Sequence, residues 1–159
     1  PAMFVGYADS AQTSDAITKD GYFLTGDIGH LMSEDTLVIT GRKKDLIIRG
    51  GENISAKEIE DVLHRHPQVA EAAVVAIPHV RLGEGIMAFI VARADSVPNA
   101  ASIAAFVDAS GLARQKIPER FAFVAELPRT PSGKIRKDKL REEARRIIVE
   151  AGLPSANPL

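Results

Sequence analysis

From Leu46 onward the apolar positions alternate between short β-branched runs and helix-spaced stripes. Leu46-Ile47-Ile48 reads as a short strand ending at Arg49, with Gly50-Gly51 as a tight turn behind it. Ser55 and Glu58 make a capping box, and Ile59, Val62 and Leu63 give the following helix an apolar face until Pro67 stops it. Two longer apolar runs come next, Val69 to Ile77 closed by Pro78, and Gly85 to Ala92. The connection between them is short enough for an antiparallel return. Asn99 caps a helix that runs to Ser110, turns Ile103, Phe106 and Val107 inward, and ends at Gly111. Arg120 to Val124 reads as a third substantial strand. Arg136 to Glu150 is the last helix, with Leu140, Ala144, Ile147 and Ile148 spaced for burial. The order β-α-β-β-α-β-α predicts an α+β fold or a two-layer α/β sandwich of about 115 residues, a size that supports one core.

The first 41 residues have a different pattern. Tyr22 to Thr25 reads as a short strand after an Asp20-Gly21 turn, and Leu37-Val38-Ile39 as another, reached through Ser33-Glu34-Asp35. Two hairpin strands alone leave open edges that an intact domain would cover. Charge divides at the same place: residues 1–41 carry six acids and one base, whereas residues 42–159 carry 19 bases and 15 acids. The expectation is a piece of a larger domain followed by a complete small one, with Pro154 to Leu159 as a loose tail.

Composition narrows the chemistry. The 159 residues hold no cysteine, which excludes disulfides, thiolate nucleophiles and Cys-ligated metals. A net charge of -1 gives no whole-chain case for nucleic acid or an anionic membrane. No apolar run approaches the roughly 20 residues that span a bilayer, and the start lacks the basic, then apolar, pattern of a signal peptide. A cytoplasmic protein is the expectation. His64 and His66 sit at a helix end, where contacts with its last carbonyls are expected in preference to a metal, and no metal site is expected anywhere.

Three stretches are more specific than a core requires. Thr25-Gly26-Asp27 places a carboxylate at a strand end, where it can accept hydrogen bonds from vicinal hydroxyls of a ribose or simply bond its own turn. Gly41-Arg42-Lys43-Lys44-Asp45, followed by Arg49-Gly50-Gly51, offers a rigid cationic fork and a backbone that a ligand can approach closely; it reads equally as a solvated basic linker with a glycine turn. Pro128 to Lys137 holds Lys134 on a Pro- and Gly-constrained loop before a helix with seven bases and three acids between Lys134 and Arg146. Its alternative is a solvated helix face. No aromatic is interleaved with these bases, which argues against nucleic acid.

These stretches together resemble the C-terminal end of the adenylate-forming enzymes, the acyl- and aryl-CoA synthetases, luciferases and peptide-synthetase adenylation domains. The blocks are Gly21-Tyr22-Phe23-Leu24-Thr25-Gly26-Asp27, Thr40-Gly41-Arg42-Lys43-Lys44-Asp45, Gly50-Gly51-Glu52-Asn53-Ile54-Ser55 and Pro128-Arg129-Thr130-Pro131-Ser132-Gly133-Lys134-Ile135. The resemblance implies a mobile C-terminal lid domain over residues 44–159, with a short, mostly antiparallel sheet packed by helices. Residues 1–43 would be the terminal hairpin strands of a larger, missing N-terminal domain. It implies an acyl-CoA ligase that uses ATP, Mg2+ and coenzyme A to activate a carboxylic acid. The magnesium site, phosphate loop and acyl pocket would lie outside this chain, so the fragment alone is expected to be inactive.

By position, Lys134 would be the catalytic lysine of adenylation, and Asp27 and Arg42 would bind the ribose of ATP or AMP. Lys44 would be the hinge, and Gly50 and Gly51 would line the pantetheine tunnel. A lysine acyltransferase and deacylase acting on Lys134 are implied as further partners. The alternative is a non-catalytic module that binds coenzyme A or AMP, or regulates a partner.

Overall fold

The computed structural model describes residues 5–152; the expected tail from Pro154 lies outside them. The chain forms two compact units, one up to Lys44 and one from Asp45. No described helix is long and apolar enough to cross a membrane.

The first unit begins with helix α1 (Ser10–Ala16), which sequence patterning missed because its face is polar and none of it is buried. Its signal is the N-cap: Asp9 Oδ1 accepts the Ala11 N–H at 2.9 Å. Strands β1 (Asp27–Ser33) and β2 (Thr36–Arg42) then form an antiparallel hairpin around Glu34-Asp35. The strand expected at Tyr22 to Thr25 is absent: Phe23 makes a single bridge to Ile17, and the paired strand starts four residues beyond it, at Asp27. The alternation predicted a strand, but Gly26 in a positive-φ conformation and the Thr25 hydroxyl, which accepts the Asp27 N–H at 3.1 Å, make this segment a turn. Leu31, Met32, Leu37 and Ile39 on the hairpin are exposed.

The second unit is built on a five-stranded sheet. Strands β3 (Leu46–Arg49) and β4 (Glu52–Ser55) form a hairpin, and β3 continues onto β6 (Gly83–Ala92) through Arg49 and Gly83. Strand β5 (Val69–His79) pairs with β6 along its length, while β7 (Arg120–Phe123) adds the sheet's parallel pairing, against Met87 to Ile90. Pro78 does not close β5 as expected. It pairs opposite Glu84, which β5 tolerates because it is an edge strand and a missing N–H can face away from the ladder.

Both sheet faces are covered, so the unit has three layers and not two. Helices α2 (Ala56–Leu63) and α3 (Ala100–Ala109) bury Ile59, Val62, Leu63, Ile103 and Val107 against Val74, Ala88 and Ile90. Helix α4 (Lys137–Glu150) buries Leu140, Ala144 and Ile148 against Val75, Ile77, Met87 and Phe89 on the other face. This double burial is why β5 and β6 read as near-continuous apolar runs. His66 is buried against Phe106 with ring centroids 4.9 Å apart, and its Nδ1 accepts the Gln68 N–H. His64 Nε2 accepts the Ala72 N–H. Both rings therefore serve the entry into β5, and not the helix carbonyls as expected.

Candidate functional site

The sequence-predicted residues fall at three places. In the first unit, Asp27 and Arg42 are direct partners across the hairpin, and Arg42 Nε donates to Asp27 Oδ1 at 2.8 Å. The carboxylate thus takes a cross-strand cation, while the turn before it is stabilised by Thr25. The two side chains are partly exposed and present a carboxylate and a guanidinium side by side. Lys43 N–H donates to the Gly26 carbonyl at 2.8 Å, which brings the basic segment back to the turn that precedes Asp27. Lys44 is exposed in a single 3₁₀ turn, Lys43–Asp45, where the first unit ends.

In the second unit, Gly50 and Gly51 are the two central residues of the β3–β4 turn, with φ of 58° and 86°. Positive φ at both positions is the requirement of the two-residue hairpin turn that matches strand twist. No heavy atom stands within 4 Å of where a Gly51 Cβ would be, so the glycine is required by dihedral and not by crowding. Gly50 N–H donates to the Leu82 carbonyl at 2.8 Å, and Glu84 accepts the Ile48 N–H at 2.6 Å. Behind the turn, Glu119 gathers Arg49 at 2.5 Å, the Ile86 N–H at 3.3 Å and, more loosely, His79 at 3.6 Å.

Lys134 lies on the loop before α4. Arg129 and Ile135 close this loop as an antiparallel bridge, and Thr130 N–H donates to the Lys134 carbonyl at 2.8 Å. Inside it, Pro131 pre-sets the turn, Gly133 donates to the Thr130 carbonyl, and the Thr130 hydroxyl accepts the Lys134 N–H at 3.1 Å. The backbone of Lys134 is held from two directions while its side chain is exposed. Among the described residues no side chain pairs with its ammonium.

Sequence reasoning missed what anchors the loop. Arg129 donates from Nη1 to the Gly133 carbonyl at 2.7 Å and from Nη2 to Glu71. Lys137 pairs with Glu60 at 2.7 Å, whose carboxylate also accepts the Val74 N–H. Arg141 reaches Asp45 at 2.7 Å. Glu71 was the available signal, an acid inside an otherwise apolar strand. The Glu119 cluster had no local signal, since its partners stand 33 to 70 residues away.

Register fixes how far apart these two places lie. The glycine turn adjoins Arg49, which pairs with Gly83 at the start of β6. The Lys134 loop is tied to Glu71, which pairs with Val91 near the end of β6. Eight residues of extended chain span roughly 27 Å. Among the described residues no group of three or more His, Asp or Glu side chains is placed to hold a metal ion.

Residues 58–134 match the AMP-binding enzyme C-terminal domain. The chain is 40% identical over 152 residues to the medium-chain fatty-acid–CoA ligase of Escherichia coli, a match covering 94% of this chain and 27% of that protein. It is 44% identical over 144 residues to the sulfoacetate–CoA ligase of Cupriavidus necator, covering 90% and 28%. Among solved structures, ATP-bound MatB from Rhodopseudomonas palustris superposes with a TM-score of 0.83 at 37% identity, over 91% of this chain and 29% of that one. The chain thus spans under a third of the length of these relatives.

Proposed function

The chain belongs to the adenylate-forming enzymes as their C-terminal region, and on that premise we propose that it is the moving part of an ATP-dependent acyl-CoA ligase. In the first half-reaction a carboxylate oxygen attacks the α-phosphorus of ATP, giving acyl-adenylate and pyrophosphate. In the second, the thiol of coenzyme A attacks the acyl carbon, giving the thioester and AMP. The observation that carries this reading is the separation of Lys134 and Gly50-Gly51 at opposite ends of one sheet.

Lys134 supplies an unpaired cation from a fixed loop, suited to oxygens on which charge grows during adenylation. The glycine turn supplies bare backbone along which a neutral thiol-bearing arm can pass. Each serves one step, and rotation about Lys44, exposed between the two compact units, exchanges them. Residues 1–43 would then close the large domain and 44–159 form the lid. Asp27 and Arg42, held together, would receive the ribose hydroxyls. The exposed Leu31, Met32, Leu37 and Ile39 would lie under the rest of that domain.

The two relatives act on acids as different as a medium-chain fatty acid and sulfoacetate, yet this region is 40% and 44% identical to theirs. That supports placing acid selection elsewhere in the enzyme. No described carboxylate cluster suits a divalent cation, so magnesium would be held by the large domain with the nucleotide phosphates. A cytoplasmic location fits the use of ATP and coenzyme A. An acyltransferase and deacylase acting on Lys134 would switch the first step by removing and restoring its charge.

The test is acid-dependent pyrophosphate release by the full-length protein across a panel of carboxylic acids. Release that falls on the order of 10² to 10³-fold in Lys134→Ala is expected. A full-length protein that releases pyrophosphate with none of the acids would contradict the reading.

A further inference from the structure

Lys134 can act on a growing charge only if its loop stays put, and the loop's own hydrogen bonds fix its internal shape without fixing it to the sheet. Lys137–Glu60 and the packing of Ile135 hold the end of the segment; the link that joins the turn itself to the sheet is Arg129. Its guanidinium donates in two directions at once, from Nη1 to the Gly133 carbonyl at 2.7 Å and from Nη2 to the Glu71 carboxylate on β5. Gly133 is the residue immediately before Lys134, in the positive-φ region at 83°, and its carbonyl belongs to the peptide group that leads into the lysine. We infer that Arg129, anchored by Glu71, is a positioning residue that sets the angle at which Lys134 leaves its loop. The inference rests on the adenylation role proposed for Lys134.

Magnitude argues for positioning over stability. Arg129 and Glu71 are each about two-fifths exposed, and exposed ion pairs contribute little to folding. The same pair is nevertheless the sheet-side support of a carbonyl one peptide bond from the lysine. Arginine is the residue that can do this, because a planar fork reaches a carboxylate and a carbonyl simultaneously whereas an ammonium acts as a single point charge. Arg129 does not touch the reacting atoms in this scheme; it acts through Lys134.

The experiment uses the full-length protein and measures the two half-reactions separately for Arg129→Ala, Arg129→Lys and Glu71→Gln. Adenylation kcat is expected to fall roughly 10- to 100-fold in Arg129→Ala, the scale of a displaced catalytic group, with KM for ATP little changed. Arg129→Lys should fall nearly as far, because it keeps the charge and loses the fork. Glu71→Gln should fall less, since the amide still accepts a hydrogen bond. Thioester formation from supplied acyl-adenylate should stay unchanged in all three. In a Lys134→Ala background, Arg129→Ala should cost nothing more.

Full adenylation activity in Arg129→Ala or Arg129→Lys, with Lys134→Ala defective, would overturn this inference and leave the functional reading intact. Equal loss of both half-reactions with a lowered melting temperature would also overturn it, in favour of a folding role. A wild-type protein that adenylates no acid would overturn both.

Discussion

At the Gly50-Gly51 end of the sheet, charge is neutralised and turned inward: Glu119 collects Arg49, the Ile86 amide and His79, and Glu84 takes the Ile48 amide. At the Lys134 end, carboxylates also appear, but they bind the residues around the lysine. Glu71 takes Arg129, Glu60 takes Lys137, and the Lys134 ammonium is left outside these pairs. One end therefore offers the bare backbone of Gly50 and Gly51, the other the exposed cation of Lys134. The difference matches what each proposed step needs, a passage for a neutral arm in one and stabilisation of phosphoryl and carboxylate oxygens in the other.

The comparison is broken most completely by removing what the ends share. Phe89 is fully buried between β6 and α4, and Phe89→Ala should destabilise the unit by about 3–5 kcal/mol. Denaturant titration should show that loss, and both half-reactions of the full-length protein should fall together.

How much of this was legible beforehand follows from the range of each interaction. The Ser55 and Asn99 caps and the apolar runs of β5 and β6 are local; the structure has both caps where they were expected, and each strand extends two residues beyond its expected run, to His79 and from Gly83. The Tyr22 strand failed because alternation over four residues cannot outweigh a positive-φ glycine at its end. Of the two architectures expected, the α+β fold is present and the two-layer sandwich is not, because a run such as Val69 to Ile77 does not tell whether one face or both are covered. The candidate residues Asp27, Arg42, Gly50, Gly51 and Lys134 were found as motifs. Their supports were not, since Arg129–Glu71 and Arg49–Glu119 join residues 58 and 70 positions apart.

A sharper break acts on one end only. A Cβ at Gly85 would stand 2.3 Å from Glu119 Oε2, so Gly85→Ala must push that carboxylate away from Arg49 and Ile86. Overpacking of this kind costs roughly 1–3 kcal/mol. Thermal melts should register it, and the thioester step should suffer more than adenylation. Gly51→Ala should cost somewhat less, about 1–2 kcal/mol, because it strains the backbone at φ 86° without a steric clash.

The smallest effect belongs to the start of α4. A hydrogen bond from Arg136 holds the Asp138 carboxyl below the usual aspartate range. A lowered folded-state value means that its contribution is present above the ordinary range, near pH 4, and fades as pH falls through the lowered value. Both side chains are well exposed, so the contribution is slight. Asp138→Asn should flatten the acid limb of the stability profile and leave neutral pH almost unchanged.

A crossed experiment on the full-length protein decides whether the two ends serve different half-reactions. Lys134→Ala and Gly51→Leu are each assayed for pyrophosphate exchange and for thioester formation from supplied acyl-adenylate. The account predicts that Lys134→Ala loses the first and keeps the second, and that Gly51→Leu does the reverse. Loss of the same half-reaction in both variants would contradict it.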